Sequence, residues 1–427
     1  MYNAIVTRIQ TRPLEGSDNI IQGLCCGYTV LVSKDTADGT LGIFFEAGGQ
    51  LSEQFCKAHD LVRRKNEDGT SGGGYFEESR RVRAVKMRGV ISEGFFCELD
   101  KLSFTGAKLA SYKEGDQFCV ANGIPICNKY FTLQTQRAMR DMAGSVAKRE
   151  NKMFAKHIET EAFKRGVESI PDSLLIITEK LHGTSHRVAN VLEEVPIKRH
   201  KAAAWWAKLW KQPTTKMEWK IIHGSRNVVL DNDKPGYYGS NAFRYRAIGD
   251  IPLAKGEVVY GEIVGYTEGT STIMNRHDLS GLKDKAAEKM FGKDIAYTYG
   301  CPEGCQKFFV YRITQVNEDG YAAELSYFDM VQRCKRLGIT PVPLLDILLY
   351  EQGNEVELAK RVDVLVNGES GREVLASKLD STHIREGVVV RYEGAASSGW
   401  LKAKSVYFGI LEGYLKDTDY VDIEEAA

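Results

Sequence analysis

Residues 174–188 read LLIITEKLHGTSHRV, the pattern of two strands joined by a tight turn. Strand-type residues Leu174 to Thr178 lead into Glu179 and Lys180. His182 and Gly183 interrupt the pattern, and a second strand-like run follows over 184–191. Alternation predicts Ile176, Thr178 and Lys180 on one face, so a lysine ends a row of apolar and small side chains. Desolvation at the mouth of an apolar pocket disfavours the charged amine and suits it to nucleophilic use. For a single lysine, a solvated place at a hairpin turn is the commoner outcome. The rest of the chain has to decide between the two.

At 427 residues the chain is long for one core, and two domains with connectors are expected. An apolar content of 43% with 27% charged residues fits an ordinary globular protein. Formal charge is zero, so a polyanion would have to meet a local patch, not a global field. Nine cysteines, odd in number and irregular in spacing, fit a reducing compartment: the cytoplasm, or the nucleus of a eukaryote. The first residues lack the apolar core of a signal peptide, and no run of about 18 apolar residues predicts a membrane span. Cys301 and Cys305 are half of a zinc pattern without a second pair.

Taken in order, residues 1–130 carry short strand signals at 4–9, 27–32, 41–45, 81–85, 94–98 and 117–120, which predict a small β-barrel. Within it Arg81, Arg83 and Lys86 could form a cationic stripe along a phosphate backbone, or a solvated basic edge. Residues 131–170 have helical composition and are expected to connect the barrel to a second domain. His157 and Thr160 in this connector are expected to be structural. The second domain, 171–416, alternates strand and helix signals in an α+β pattern, and 417–427 form an acidic tail. One insertion, 197–220, holds seven Lys or Arg against one Glu, with Trp205, Trp206, Trp210 and Trp219. Its Lys198, Arg199, Lys201 and Trp205 are candidates for stacking on bases and pairing with phosphates. An amphipathic helix docked by its tryptophans is the alternative.

Five patches in the second domain bear on chemistry: EKLHGT at 179–184, HGSRN at 223–227, VVYGEIV at 258–264, FFVYRI at 308–313, and REGVVVR at 385–391 with WLKAKS at 400–405. Glu262 shares a strand face with Val258, Tyr260 and Val264; Phe309 and Tyr311 are predicted to share another, and Lys402 and Lys404 project from one side of their strand. Charged residues set into apolar strands are costly unless partnered.

Together and in this order the patches resemble the covalent nucleotidyltransferase superfamily of ATP-dependent DNA ligases, RNA ligases and mRNA-capping guanylyltransferases. The wording EKLHGTS is closer to the RNA ligases. DNA ligases and capping enzymes carry an OB domain after the last motif, whereas here a β-rich domain precedes the first. That layout resembles the nick-sealing RNA ligase branch with an N-terminal OB domain. The implied fold is an OB-like β-barrel followed by an ATP-grasp-like nucleotidyltransferase domain of antiparallel sheets with flanking helices.

The resemblance implies joining of a 3′-OH RNA end to a 5′-phosphate, with ATP and Mg²⁺ or Mn²⁺ as cofactors. It implies RNA or an RNA-containing duplex as partner, no membrane, and a monomer. Lys180 would attack the α-phosphorus of ATP, and Lys402 and Lys404 would neutralise charge on that phosphate. Glu179, His182 and Gly183 would border the nucleotide, and Arg187 would reach its phosphates or the 5′-phosphate. Arg226 would contact ribose or a nucleic-acid phosphate, Glu262 the ribose hydroxyls, and Tyr311, with Phe309 beside it, the base. Glu386 would hold the divalent cation. Arg312 stands where the family often has aspartate, so the stacking motif could be offset. Alternatives are a DNA ligase, a capping-type guanylyltransferase, or an RNA-binding protein without catalysis.

Overall fold

A computed structural model describes residues 2–65, 71–87, 90–131, 136, 150–199, 210, 212–230, 240–280, 282, 285–371, 373–394 and 398–413. The fold is mixed α+β, with antiparallel sheets and few helices. Two sheets dominate the second half. The first, here the lysine sheet, has the order Glu161–Ala162, Ser398–Lys404, Gly387–Gly394, Ser173–Lys180, Leu344–Tyr350. The second, the glutamate sheet, runs Thr215–Gly224, Thr184–Pro196, Glu257–Gly265, Gln306–Val316, Ala322–Glu324, with Thr340–Pro341 beside Gln306–Val316.

Ser173–Lys180 is a strand because Leu175 and Ile177 pack on one side and Ile176 on the other. Leu175 and Ile177 meet Leu358, Val362 and Val366, which recur every four residues on helix Glu355–Asn367. Ile176 faces the other way, with Val188, Val259 and Ile263. Thr178 and Lys180 follow Ile176 on that face, as alternation predicts. Pairing then sets side chains in rungs: Ile176, Arg391 and Trp400; Thr178, Val389 and Lys402; Lys180, Gly387 and Lys404. The nucleophile candidate and both lysines of the last motif therefore lie on one surface, though more than 200 residues apart in sequence.

The N-terminal unit has a four-stranded sheet, with Ala4–Arg8 between Leu41–Glu46 and Gln117–Phe118 and Gly94–Glu98 beyond Leu41–Glu46. A three-stranded sheet, Gln10–Arg12, Ile20–Cys25 and Tyr28–Ser33, packs against it. Among the described residues no continuous ladder closes these sheets into a barrel. The strand expected over 81–85 is instead an extended segment: Arg81 forms an isolated bridge with Gln50, and a strand starts only at Val85. Val82 and Ala84 fill the core, so the backbone alternates without pairing continuously.

The helical expectation for 131–170 lies partly outside the described residues. Where it can be followed, 150–160 has no regular helix, and Phe163–Gly166 forms a single turn. Met153 and Phe154 sit in a turn, the Phe154 N–H donating to Asn151 O at 2.9 Å, and their side chains are drawn into the core beside Tyr260. No helix of the described residues is long and apolar enough to cross a membrane.

Candidate active site

The two sheets face one another across a cavity of about 810 Å³. The lysine sheet contributes Thr178, Lys180, Val389, Arg391, Trp400 and Lys402; the glutamate sheet contributes Ser185, Tyr260, Glu262, Tyr311 and Arg312. Segments at 157–160 and 225–228 close one side.

Lys180 Nζ lies 2.8 Å from Glu386 Oε1, and Lys404 Nζ lies 3.0 Å from the same oxygen. The amine therefore sits in an ion pair, not alone against an apolar strand as the local pattern suggests. Glu386 is 2% exposed. Burial alone would raise its carboxyl, but Lys180 and Lys404 more than offset this and hold it at about 2. Gly387 permits the arrangement, because a Cβ there would come within 2.0 Å of Ala403 O on the neighbouring strand. Lys402, one rung deeper, is brought down to about 8 by burial, then by Lys180 and Lys404.

Glu262 faces these cations from the opposite sheet. Burial pushes its carboxyl up to about 7, with Lys180 opposing and Glu386 adding to the rise. Gly183 packs under the same strand; a Cβ there would lie 2.4 Å from Ile263 O. A bulge in the pairing of Glu257–Gly265 with Gln306–Val316 leaves Tyr311 as the extra residue: Tyr260 pairs with Arg312, and Gly261 with Val310. Tyr311 lines the cavity, its hydroxyl 3.3 Å from Ser185 Oγ. Phe309 is buried in the cluster with Leu181 and Tyr266 and does not reach the cavity wall. Arg312 is held by Glu324 at 2.8 Å, between the rings of Tyr260 and Trp400.

Other candidates take different places. Glu179, on the opposite side of its strand from Lys180, accepts a hydrogen bond from Lys378 N at 2.8 Å. His182 stands behind Lys180, edge-on to Tyr297 and Phe408, and its backbone N–H donates to the Tyr299 hydroxyl. Burial keeps its ring neutral, down to about 3. Arg226 lines the cavity, 3.8 Å from Glu159.

Arg187 calls for a correction. Instead of pointing at phosphates, it donates through Nε to Ser225 O at 3.0 Å and through Nη1 to Phe154 O at 2.7 Å and to Ala155 O. Those carbonyls belong to the two segments that carry Arg226 and His157. Its guanidinium also stacks on Phe154 and is 2% exposed with its residue, so none of it is presented to the cavity. Arg83 lies 3.6 Å from Glu77, and Lys86 sits in a short strand paired to Ile91. Lys198 and Arg199 follow the end of strand Thr184–Pro196, and Lys201 and Trp205 lie outside the described residues. Trp219 packs against its own domain under Lys255.

Sequence reasoning missed Arg244 and His157; Thr160, expected like His157 to be structural, lines the cavity too. Arg244, 4% exposed, donates to Ser185 O and to Thr184 Oγ1, fixing the turn after Lys180. His157, expected to be structural, lies on the cavity wall, 5.4 Å edge-on from Tyr311. Neither carries a local signal, since each acts through residues distant in the chain.

A buried carboxylate paired with two partly exposed lysines, facing a glutamate and a tyrosine from the opposite sheet, is the arrangement expected of a nucleotidyltransferase. The chain belongs to the RNA ligase family, whose model matches residues 173–404. No curated protein sequence compared with the chain matches it. Among solved structures it is similar to the RNA ligase of Naegleria gruberi. A lysine-to-alanine variant of that protein with ATP and Mn aligns at TM-score 0.57 and 17% identity, over 97% of this chain and 99% of that one. The same protein with PPi aligns at TM-score 0.58 and 16% identity, over 95% and 97%. A lysine-to-methionine variant with AMP and Mn aligns at TM-score 0.57 and 17% identity, over 97% and 99%. The shared fold thus extends over nearly the whole chain.

Proposed function

We propose that this chain is an ATP-dependent RNA ligase that works through a lysyl-AMP intermediate on Lys180. The observation that carries the reading is that Lys180, Lys402 and Glu262 line one cavity large enough for a nucleotide, while Glu386 behind them pairs with both Lys180 and Lys404. In the first step Lys180 Nζ, its proton released to solvent, bonds to the α-phosphorus while the bond from that phosphorus to the bridging oxygen breaks, and pyrophosphate leaves with the oxygen. AMP then passes to an RNA 5′-phosphate, breaking the nitrogen–phosphorus bond. A 3′-OH finally attacks that 5′-phosphorus and expels AMP.

Each side chain has a physical task in this scheme. Glu386 and Lys404 fix the amine where the α-phosphorus would lie. Lys402 and Lys404 place fixed positive charge at the phosphate oxygens. Glu262 accepts from ribose hydroxyls, and Tyr311 presents its ring to the base. The residues also fit a divalent cation. Glu386 Oε2 is buried without a hydrogen-bond partner, and no group of three or more metal-ligating side chains exists among the described residues. A cation such as Mg²⁺, which keeps several waters and takes one or two carboxylates plus substrate phosphates, suits such a site. When bound, it would supply further charge neutralisation on the phosphates.

The N-terminal unit is read as a nucleic-acid-binding, OB-like domain for a nicked duplex. In support, short antiparallel strands surround shared apolar cores ahead of the catalytic sheets. Incubating the chain with α-labelled ATP and Mg²⁺ or Mn²⁺ should give a labelled band that survives denaturation and disappears in Lys180→Ala. An unlabelled wild type, or an undiminished band in the variant, refutes the reading. Sealing of nicks with a 3′-OH RNA end should exceed sealing of all-DNA nicks.

A further inference from the structure

Arg81, a candidate phosphate contact in the sequence, is turned into the molecule. Its Nη2 donates to Glu412 O at 3.0 Å, and its guanidinium lies 4.4 Å over the ring of Tyr130. Glu412 follows helix Val406–Leu411, so Arg81 supplies a donor and a positive charge to the carbonyl end of that helix. The next residue, Gly413, has φ 69°, and a Cβ there would stand 3.0 Å from Arg81 Nη1. Glycine serves both the left-handed turn and the seat of the guanidinium.

The side chain of Glu412 points the other way, to the catalytic domain. Its Oε1 lies 3.5 Å from His277 Nε2 and 3.7 Å from His182 Nε2. His182 Nδ1 is 3.7 Å from Glu386 Oε2, and Glu386 Oε1 holds Lys180. Phe408 of the same helix packs edge-on to His182 at 4.8 Å and lies under Lys404 Nζ at 5.2 Å. A contiguous path of close contacts thus runs from Arg81 of the N-terminal unit to the nucleophile.

We propose that Arg81 and Glu412 are positioning residues for Lys180. By seating the end of helix Val406–Leu411, Arg81 holds Glu412 against His182 and His277. His182, packed between the two carboxylates by contact and not by hydrogen bonds, in turn limits where the Glu386 carboxylate can sit beside Lys180 and Lys404. Docking of the N-terminal unit therefore contributes to the first chemical step as well as to nucleic-acid binding. The proposal rests on the lysyl-AMP reading only for its kinetic arm.

The test compares full-length wild type with Arg81→Ala, Arg81→Lys, Glu412→Ala and the Arg81→Ala/Glu412→Ala double variant. Three measurements are made: kcat and KM for ATP in lysyl-adenylate formation, amide hydrogen exchange over 180–186 and 406–412 without nucleotide, and Tm. Each alanine variant should lower kcat about tenfold with KM little changed, and the double variant should be no worse than the poorer single. Exchange over 180–186 should rise in every alanine variant, and Arg81→Lys should recover part of both losses. Wild-type kcat and exchange in Arg81→Ala, or fully additive losses, would overturn the proposal. So would losses that only follow Tm without rescue by lysine. The exchange arm stands whether or not a lysyl-adenylate forms, so a wild type that takes no label refutes the ligase reading and leaves this one to be judged by exchange.

Discussion

Lys180 Nζ and Glu386 Oε1 stand 2.8 Å apart, and Lys404 Nζ approaches that same oxygen to 3.0 Å. One buried carboxylate thus sets the spacing of two ammonium groups that would otherwise repel. Without it, both lose their common reference point.

Glu386→Gln keeps the shape and removes the charge. Self-adenylation should fall on the order of 10²–10³-fold, the scale of losing a preorganised electrostatic contact. Stability should fall as well, because two cations are left facing each other. Transfer of label from α-labelled ATP, followed alongside a thermal melt, measures both. Adenylation within about twofold of wild type would remove Glu386 from the machinery.

The free enzyme should show a bell-shaped pH dependence for the second-order rate of adenylation. Glu262 gains its charge as pH rises through about 7, so the acid limb rises there. Lys402 loses its charge as pH rises through about 8, so the alkaline limb falls there. Glu262→Gln should flatten the first limb, and Lys402→Arg should move the second to higher pH. Linked stability has the matching signs. Glu262, whose carboxyl is raised on folding, makes stability decline between about 4.5 and about 7. Glu386, held at about 2, contributes stability that is present above about 4.5 and lost as pH falls through about 2.

Arg187→Met tests whether that arginine serves the fold or the phosphates. Carbonyls of Phe154, Ala155 and Ser225 would lose their donor. The expected destabilisation is about 3 kcal/mol by denaturant unfolding. KM for ATP should rise as the segments bearing His157 and Arg226 loosen. Unchanged stability with a collapsed kcat would instead make Arg187 a phosphate contact.

Gly387→Ala should be severe for so small a change. Its Cβ would sit 2.0 Å from Ala403 O, and the obstacle is backbone in a paired strand. A loss of at least about 2 kcal/mol is expected by thermal or denaturant unfolding. Adenylation should drop further than stability, since any shift that relieves the clash moves Glu386 away from Lys404. A variant as stable and as active as wild type would show that the two strands part easily.

The sequence by itself determined which charged residues stand out as candidates for chemistry and on which strand face several of them lie. Strand alternation put Lys180 on the face of Ile176 and Thr178, and Lys402 beside Lys404, because side-chain direction within a strand is a local property with a period of two. Charged groups in apolar strands were conspicuous for the same reason. Tertiary structure alone decided whom they meet. It set Glu386 between two lysines, turned Arg187 onto carbonyls of distant segments, and drew Arg81 to the end of helix Val406–Leu411. It also inserted a bulge at Tyr311 that leaves Phe309 in the core. Partners of this kind come from pairing register and domain docking, which depend on residues hundreds of positions away and leave no mark in a local pattern.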